Sequence, residues 1–208
     1  MKKRYDQYCP VAHALCLVGE RWALLIVREL MSGPKRYTDL AENLPRIGTN
    51  ILAARLKDLE AAGVVAKRRL PPPAASRVYE LTPYGLRLKS VMRELAVWGI
   101  QTLGPPQTDE ELPAGWLVNA LDTVFAPVAP AGELEFRIGG ELASIVDGEA
   151  RAGGAEHPDA VVEADAPGFY HLFVDSDWAG VTVEGDRALV EQLFDAVRGP
   201  APVVSSAA

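Results

Sequence analysis

The 208-residue sequence predicts an α+β chain in two domains, and three observations carry that expectation. Charge is divided unevenly: residues 1–104 hold 17 Lys+Arg against 9 Asp+Glu, a net +8, while residues 105–208 hold 4 against 19, a net −15. Helical periodicity fills the first half around one pair of short strands, whereas strands and helices interleave in the second. Between them Gly104-Pro105-Pro106 and the acidic run QTDEELPAG interrupt both patterns. The expected organisation is a domain over 1–104, a linker over 105–115, a second domain over 116–199 and a tail over 200–208. A charge asymmetry of this size implies that one half meets a polyanion and the other does not.

Each element of the first half follows from local signals. Pro10 opens a short apolar helix, VAHALCLV, that ends at Gly19, and RWALLIVRELM forms a second that stops at Ser32-Gly33-Pro34. TDLAENL predicts a third helix with Thr38 as its N-cap and Pro45 beyond its end. Only Arg46, Ile47 and Gly48 separate it from TNILAARLKDLEAAG. In that fourth helix Ile47, Leu52, Leu56 and Leu59 share one side, Asn50, Ala53, Ala54 and Lys57 face away, and Gly63 is the stop. VVAKRR and RVYEL flank the loop LPPPAAS as a hairpin. Thr82 and Pro83 then begin one long helix to residue 103, with more apolar positions than a small core requires. Two short helices joined by a tight turn and followed by a basic hairpin make a winged helix-turn-helix, mostly α with a two-stranded wing.

That arrangement suits double-stranded DNA. A helix fits the major groove, and its exposed side chains reach base edges. Thr49 and Asn50 are short hydrogen-bonding groups, and Ala53 and Ala54 permit close approach to a thymine methyl. Lys57, Arg36 and Arg46 are placed for phosphates, which supply most of the affinity. The wing carries Lys67, Arg68, Arg69 and Arg77, with Arg77 at the base of the hairpin facing an adjacent minor groove.

Residues 8–98 resemble the HxlR-type branch of the MarR-like winged-helix transcriptional regulators. The matching stretches are YCPVAHALCLVGERWALLIVRELMSGPKRYTDL, LPRIGTNILAARLKDLEAAGVV and SRVYELTPYG. The resemblance implies a homodimer clasped by the first helix and the 83–103 helix on a pseudo-palindromic operator. It maps Thr49, Asn50, Ala53, Arg55 and Lys57 to the recognition helix and Arg77 to the wing. Glu20-Arg21 and Gly48 depart from the family, which more often has Gly/Lys-type residues and Ser there. The apolar excess of the 83–103 helix also asks for a partner chain.

The second half predicts a helix over WLVNALDTVF, strands LEFRIGG and ELASIVDG around a Gly-Gly turn, and a loop GGAEHPD. A strand AVVEAD, a helix PGFYHLFVDSDW, a strand GVTVEGD and an amphipathic helix RALVEQLFDAVR follow. The pieces HPDAVVEADAPGFYHLF and VTVEGDRALVEQLF, with LEFRIGGELASIVDGEA, resemble the SCP2 sterol-carrier fold. That resemblance implies a lipophilic-ligand cavity lined by Trp116, Leu121, Phe125, Phe136, Phe169, Phe173 and Trp178. The same residues at these spacings also suit a plain core. The scattered acids of this half are expected as solvated surface that repels DNA.

Two cysteines in the chain fit a reducing compartment, and Cys9 and Cys16, two helical turns or ~10 Å apart, cannot bridge each other while that helix stands. Cys9 lies before Pro10 at a helix start with Lys2, Lys3 and Arg4 nearby, an electropositive setting that suits a reactive thiol. Some relatives use a cysteine at this N-terminal position to sense oxidants, so the resemblance makes Cys9 a redox candidate. His13, His157 and His171 are isolated, and no metal site, phosphate loop or nucleophile elbow is visible. No cofactor, no membrane association and no enzymatic activity are expected, and the protein is expected in the cytoplasm. A DNA-binding regulator is the first expectation. The alternatives are a lipid- or small-molecule-carrying dimer, and a regulator switched through Cys9.

Overall fold

The computed structural model describes residues 5–71, 76–106, 112 and 114–198. Lys2, Lys3 and Arg4, the Pro/Ala wing tip, most of the expected linker and the tail 200–208 lie outside these residues. Contacts divide the chain into two units, Met1–Met92 and Arg93–Ala208.

The first unit holds α1 (Pro10–Val18), α2 (Ala23–Met31), α3 (Tyr37–Asn43), α4 (Thr49–Ala61), the hairpin β1 (Val65–Arg69) and β2 (Arg77–Leu81), the turn α5 (Pro83–Leu86) and the start of α6 (Leu88–Ile100). Ile26, Val27, Leu30, Leu40, Leu44, Leu52, Leu56, Leu59, Val64 and Val65 form its core. The stripe expected on α4 is the one buried, with Leu52, Leu56 and Leu59 each at most 1% exposed. Gly85 is required by packing: a Cβ there would collide with the carbonyl of Val64. Thr82 accepts the Gly85 amide at 3.0 Å and donates to the carbonyl of Gly63 at 2.6 Å, so the cap also ties the hairpin's exit to its entry.

Three local expectations are corrected. Thr38 is not the cap of α3. Arg36 occupies that position, and its amide donates to Asp39 at 2.8 Å, so Asp39 satisfies the helix start. The helix beginning at Pro83 is interrupted at Arg87, and residues 101–103 form a turn beyond α6. α2 starts only at Ala23, because Trp22 takes a left-handed backbone at φ 79° with Arg21 stacked on its ring.

The division between units falls inside α6, ahead of the expected boundary at Gly104. Val97 and Ile100 pack on the second core, and Arg93 donates to the carbonyl of Val124 at 3.3 Å. In this unit α7 (Trp116–Ala120) continues into a π turn, Leu121–Phe125, and a 3-10 turn, Ala126–Val128. Strands β3 (Glu133–Ile138), β4 (Glu141–Val146), β5 (Glu149–Ala152), β6 (Ala160–Ala164) and β7 (Thr182–Gly185) form one sheet in the order β5-β4-β3-β6-β7. Only β3 and β6 pair in parallel. The register sets Leu134, Phe136, Ile138, Ala143, Ile145 and Val162 on one face, where they share a core with α7, α8 (Ala166–Asp175) and α9 (Arg187–Arg198). β5 was not expected. Asp147 and Gly148, at φ 53° and 75°, make a second two-residue hairpin turn like Gly139-Gly140.

The seven side chains expected to line a lipophilic cavity are packed against one another. Phe125 meets Phe169 at 5.8 Å and Phe173 at 5.6 Å between ring centroids, Phe136 meets Phe169 at 6.4 Å, and Trp116 meets Phe169 at 6.3 Å. Leu121 is fully buried in the same cluster, and Trp178 lies under the Arg187 guanidinium at 4.2 Å. This is the edge-to-face geometry of an aromatic core, filled because Phe194 of α9 inserts among the rings. The unit's open depression of about 630 Å³ lies elsewhere, bordered by Arg137, Gly140, Glu163 and Thr182. Nor are the acids only solvated surface. Glu141 accepts the amides of Gly115 at 2.6 Å and Leu117 at 3.0 Å, Asp165 that of Gly168 at 2.7 Å, and Asp159 that of Glu133 at 2.8 Å. No single helix among the described residues is long and apolar enough to cross a membrane.

Candidate nucleic-acid interface

The interface is built by α4 and the wing. Burial of one side of α4 leaves Thr49, Asn50, Ala53, Ala54, Lys57 and Asp58 exposed on the other. The helix start is held from α3, where the Tyr37 hydroxyl donates to the carbonyl of Thr49 at 2.8 Å. Leu44 and Ile47 anchor the intervening turn, and Arg46 between them points out to solvent. The wing is held by a third short pairing. Lys35 donates its amide to Tyr79 at 3.0 Å and accepts from the Tyr79 amide at 2.8 Å, which attaches β2 to the segment between α2 and α3.

The expected cations separate into two groups. Arg55 is engaged, at 2.7 Å from Asp58 and 3.8 Å from Glu20. Lys67 donates to Glu60 at 2.7 Å while lying over the Tyr79 ring, and Arg68 donates to Glu80 at 2.8 Å. The Glu60 hydrogen bond raises the pKa of Lys67 above its ordinary value, outweighing a smaller opposing effect of desolvation. By contrast Arg36, Arg46, Lys57 and Arg77 are exposed, and among the described residues their charged groups make no ion pair. These four are ready to meet phosphates at no cost of breaking an internal pair.

Arg77 is not at the base of the hairpin. It lies directly opposite Arg69 in the last paired position before the tip. Register alone reveals this pair, and the strand lengths had to be known first.

α4 carries polar and small residues outward, with cations at its flanks. A comparison with known families agrees over the same region: the HxlR-like helix-turn-helix profile matches residues 17–107. The HTH-type transcriptional regulator YodB of Bacillus subtilis is 39% identical over 101 residues, covering 48% of this chain and 90% of that protein. The chain belongs to the HxlR family. As an HxlR member it is a DNA-binding transcriptional regulator, and its wing and α4 are the parts such a fold offers to DNA. A second Bacillus subtilis relative, the uncharacterized HTH-type regulator YvaP, is 31% identical over 105 residues, or 50% of this chain and 97% of that one. Among solved structures, the reduced form of YodB shares 37% identity with a TM-score of 0.42, covering 49% of this chain and all of that one. The acidic second unit lies almost wholly beyond the HxlR match.

Two residues that matter to the interface had no clear sequence signal. Glu29, amid the apolar run of α2, is buried and hydrogen-bonds Arg28 and Asn43. Tyr37, by type an ordinary first-turn aromatic, places its hydroxyl on the Thr49 carbonyl, which only the fold reveals.

Proposed function

We propose that this HxlR protein works as a homodimer that places two copies of α4 into successive major grooves of a pseudo-palindromic operator, with the two wings on the flanking backbone. The observation that carries the reading is the exposed, unpaired set Asn50, Lys57, Arg46 and Arg77 around a helix whose other side is buried. The dimer is supported by apolar side chains left in solvent. Val91, Leu95 and Trp98 recur on one side of α6 and are 47%, 42% and 77% exposed, and Val11 and Leu15 are exposed on α1.

The test is a binding titration on DNA flanking the protein's own gene, repeated over a salt series. Four unpaired cations per subunit predict a slope of log K against log salt of about −7 for the dimer. Arg77→Ala weakens binding to all sequences and makes the slope shallower. A flat salt response, or a monomer by sedimentation at the binding concentration, would refute the proposal.

A second reading is switching through Cys9. Its residue is half-buried at the N-cap of α1, where Pro10 leaves the first turn open and the side chain makes no capping bond. Diamide should then lower operator affinity of the wild-type protein and leave Cys9→Ser unchanged. An SCP2-like second unit that takes a hydrophobic effector would need to open the packed rings around Phe125 and Phe169. Native mass spectrometry of the purified dimer, with or without retained ligand, decides that point.

A further inference from the structure

We infer that Glu29 is a positioning residue for DNA reading: through Asn43 it sets where the turn carrying Arg46 and the start of α4 sits. The inference rests on α4 being the reading helix. Among the described residues of the first unit, Glu29 is the one charged side chain counted as buried, at 5% exposure. It stands in α2 between Ile26, Val27 and Leu30, all fully or nearly fully buried. A carboxylate in such a place is costly to bury, and an apolar side chain of similar volume would pack there with less penalty. What the carboxylate adds is direction.

Each oxygen has a defined partner. Oε1 accepts from Nε and Nη2 of Arg28 at 3.2 and 2.8 Å, and Oε2 accepts from Nδ2 of Asn43 at 2.8 Å. The Ser32 hydroxyl donates to the Glu29 carbonyl at 3.1 Å, which holds the end of α2 beside it. Asn43 is the last residue of α3, and the five residues after it are the turn into α4. The contacts of Leu44 and Ile47 with the core are non-directional and tolerate a small slide. A hydrogen bond to a buried charged acceptor does not. At the other end of α3 the Tyr37 hydroxyl fixes the Thr49 carbonyl. So α3 is tied by its last residue to α2 and by its first to α4, and the reading helix inherits its placement from both ties. Glu29 touches no base or phosphate in this scheme. Arg28 neutralises it, which leaves Asn43 as the element that responds to it.

The experiment uses the full-length dimer and a randomised duplex pool from which the wild-type protein enriches its preferred site. Affinity for that site and for a scrambled duplex is then measured for Asn43→Ala, Glu29→Leu and Glu29→Gln, at a temperature where each is folded by circular dichroism. The expected result is a selectivity loss of about tenfold for Asn43→Ala and Glu29→Leu, with scrambled-duplex affinity retained within about threefold. Glu29→Gln keeps an oxygen for Asn43 and recovers most of the selectivity. Unchanged selectivity in Asn43→Ala overturns the inference. So does an equal loss of affinity for both duplexes, which marks a merely structural role. Asn43→Ala keeps the test open if Glu29→Leu does not fold. A wild-type protein that enriches no site removes the DNA reading itself, a different failure from a selective wild type whose variants are equally selective.

Discussion

In the first unit Asp58, Glu60 and Glu80 hold Arg55, Lys67 and Arg68, whereas in the second Glu141, Asp159 and Asp165 hold backbone amides. The same chemical group serves two purposes. Near the DNA-facing helix, carboxylates take some cations out of play and hold them in fixed positions, so the available positive charge collects at Arg36, Arg46, Lys57 and Arg77. In the acidic unit Glu135, Glu149, Glu191 and Asp195 pair with Arg137, Arg151, Arg187 and Arg198, and other acids close turns and helix starts. Formal charge therefore overstates both surfaces. What meets a partner is the charge left after internal bonding.

This contrast can be tested by disturbing each unit in turn. Phe194→Ala should lower stability by about 4 kcal/mol in urea unfolding, since it empties a site surrounded by Phe125, Phe169 and Phe173. The joint reversal Arg46→Glu with Lys57→Glu should cost about 100-fold in DNA affinity by fluorescence anisotropy, with little change in stability, because neither side chain has an ion-pair partner among the described residues to lose. Glu141→Ala should destabilise by about 2 kcal/mol, as two amides at the start of α7 lose their acceptor. Glu163→Gln, whose carboxylate holds no amide among the described residues, should be neutral, and an equal loss there would mean that the acids act through net charge alone.

The smallest measurable shift belongs to Lys67. Its pair with Glu60 is solvent-exposed, so Lys67→Met should shift the thermal midpoint by no more than about 2 °C near neutral pH. Because the folded-state pKa is raised, the pair's contribution is complete below the ordinary lysine value and fades as pH climbs through the raised one. A loss already visible between pH 6 and 8, measured by thermal denaturation, would mean that a group other than this pair carries it.

Much of the first unit was legible because its signals are local and periodic. Leu52, Leu56 and Leu59 specify a buried stripe, and Thr82 with Pro83 specifies a helix start, without knowledge of anything distant. The breaks at Trp22 and Arg87 were not legible, since neither residue is a helix breaker by type. β5 was missed for another reason. EARA is short and polar, and Asp147-Gly148, although a strong hairpin pair, reads along the chain as the end of a strand. At the interface, residue types showed which cations were present but not which were already engaged. Arg55 matched a recognition-helix position, yet two acids hold it, one of them the Glu20 that departs from the family pattern. Glu29 and Tyr37 act across helices on partners 14 and 12 residues away, which neither residue type nor periodicity reveals.

The two amide bonds between Lys35 and Tyr79 give the hairpin a mechanical role beyond its charges. A wing joined to the segment before α3 is no loose antenna. Any tug that the duplex exerts on Arg77 is delivered within two residues to Tyr79, across to Lys35, and so to the root of the helix that precedes α4. On the reading proposed above, seating the wing on a duplex and seating α4 would then be mechanically linked rather than independent.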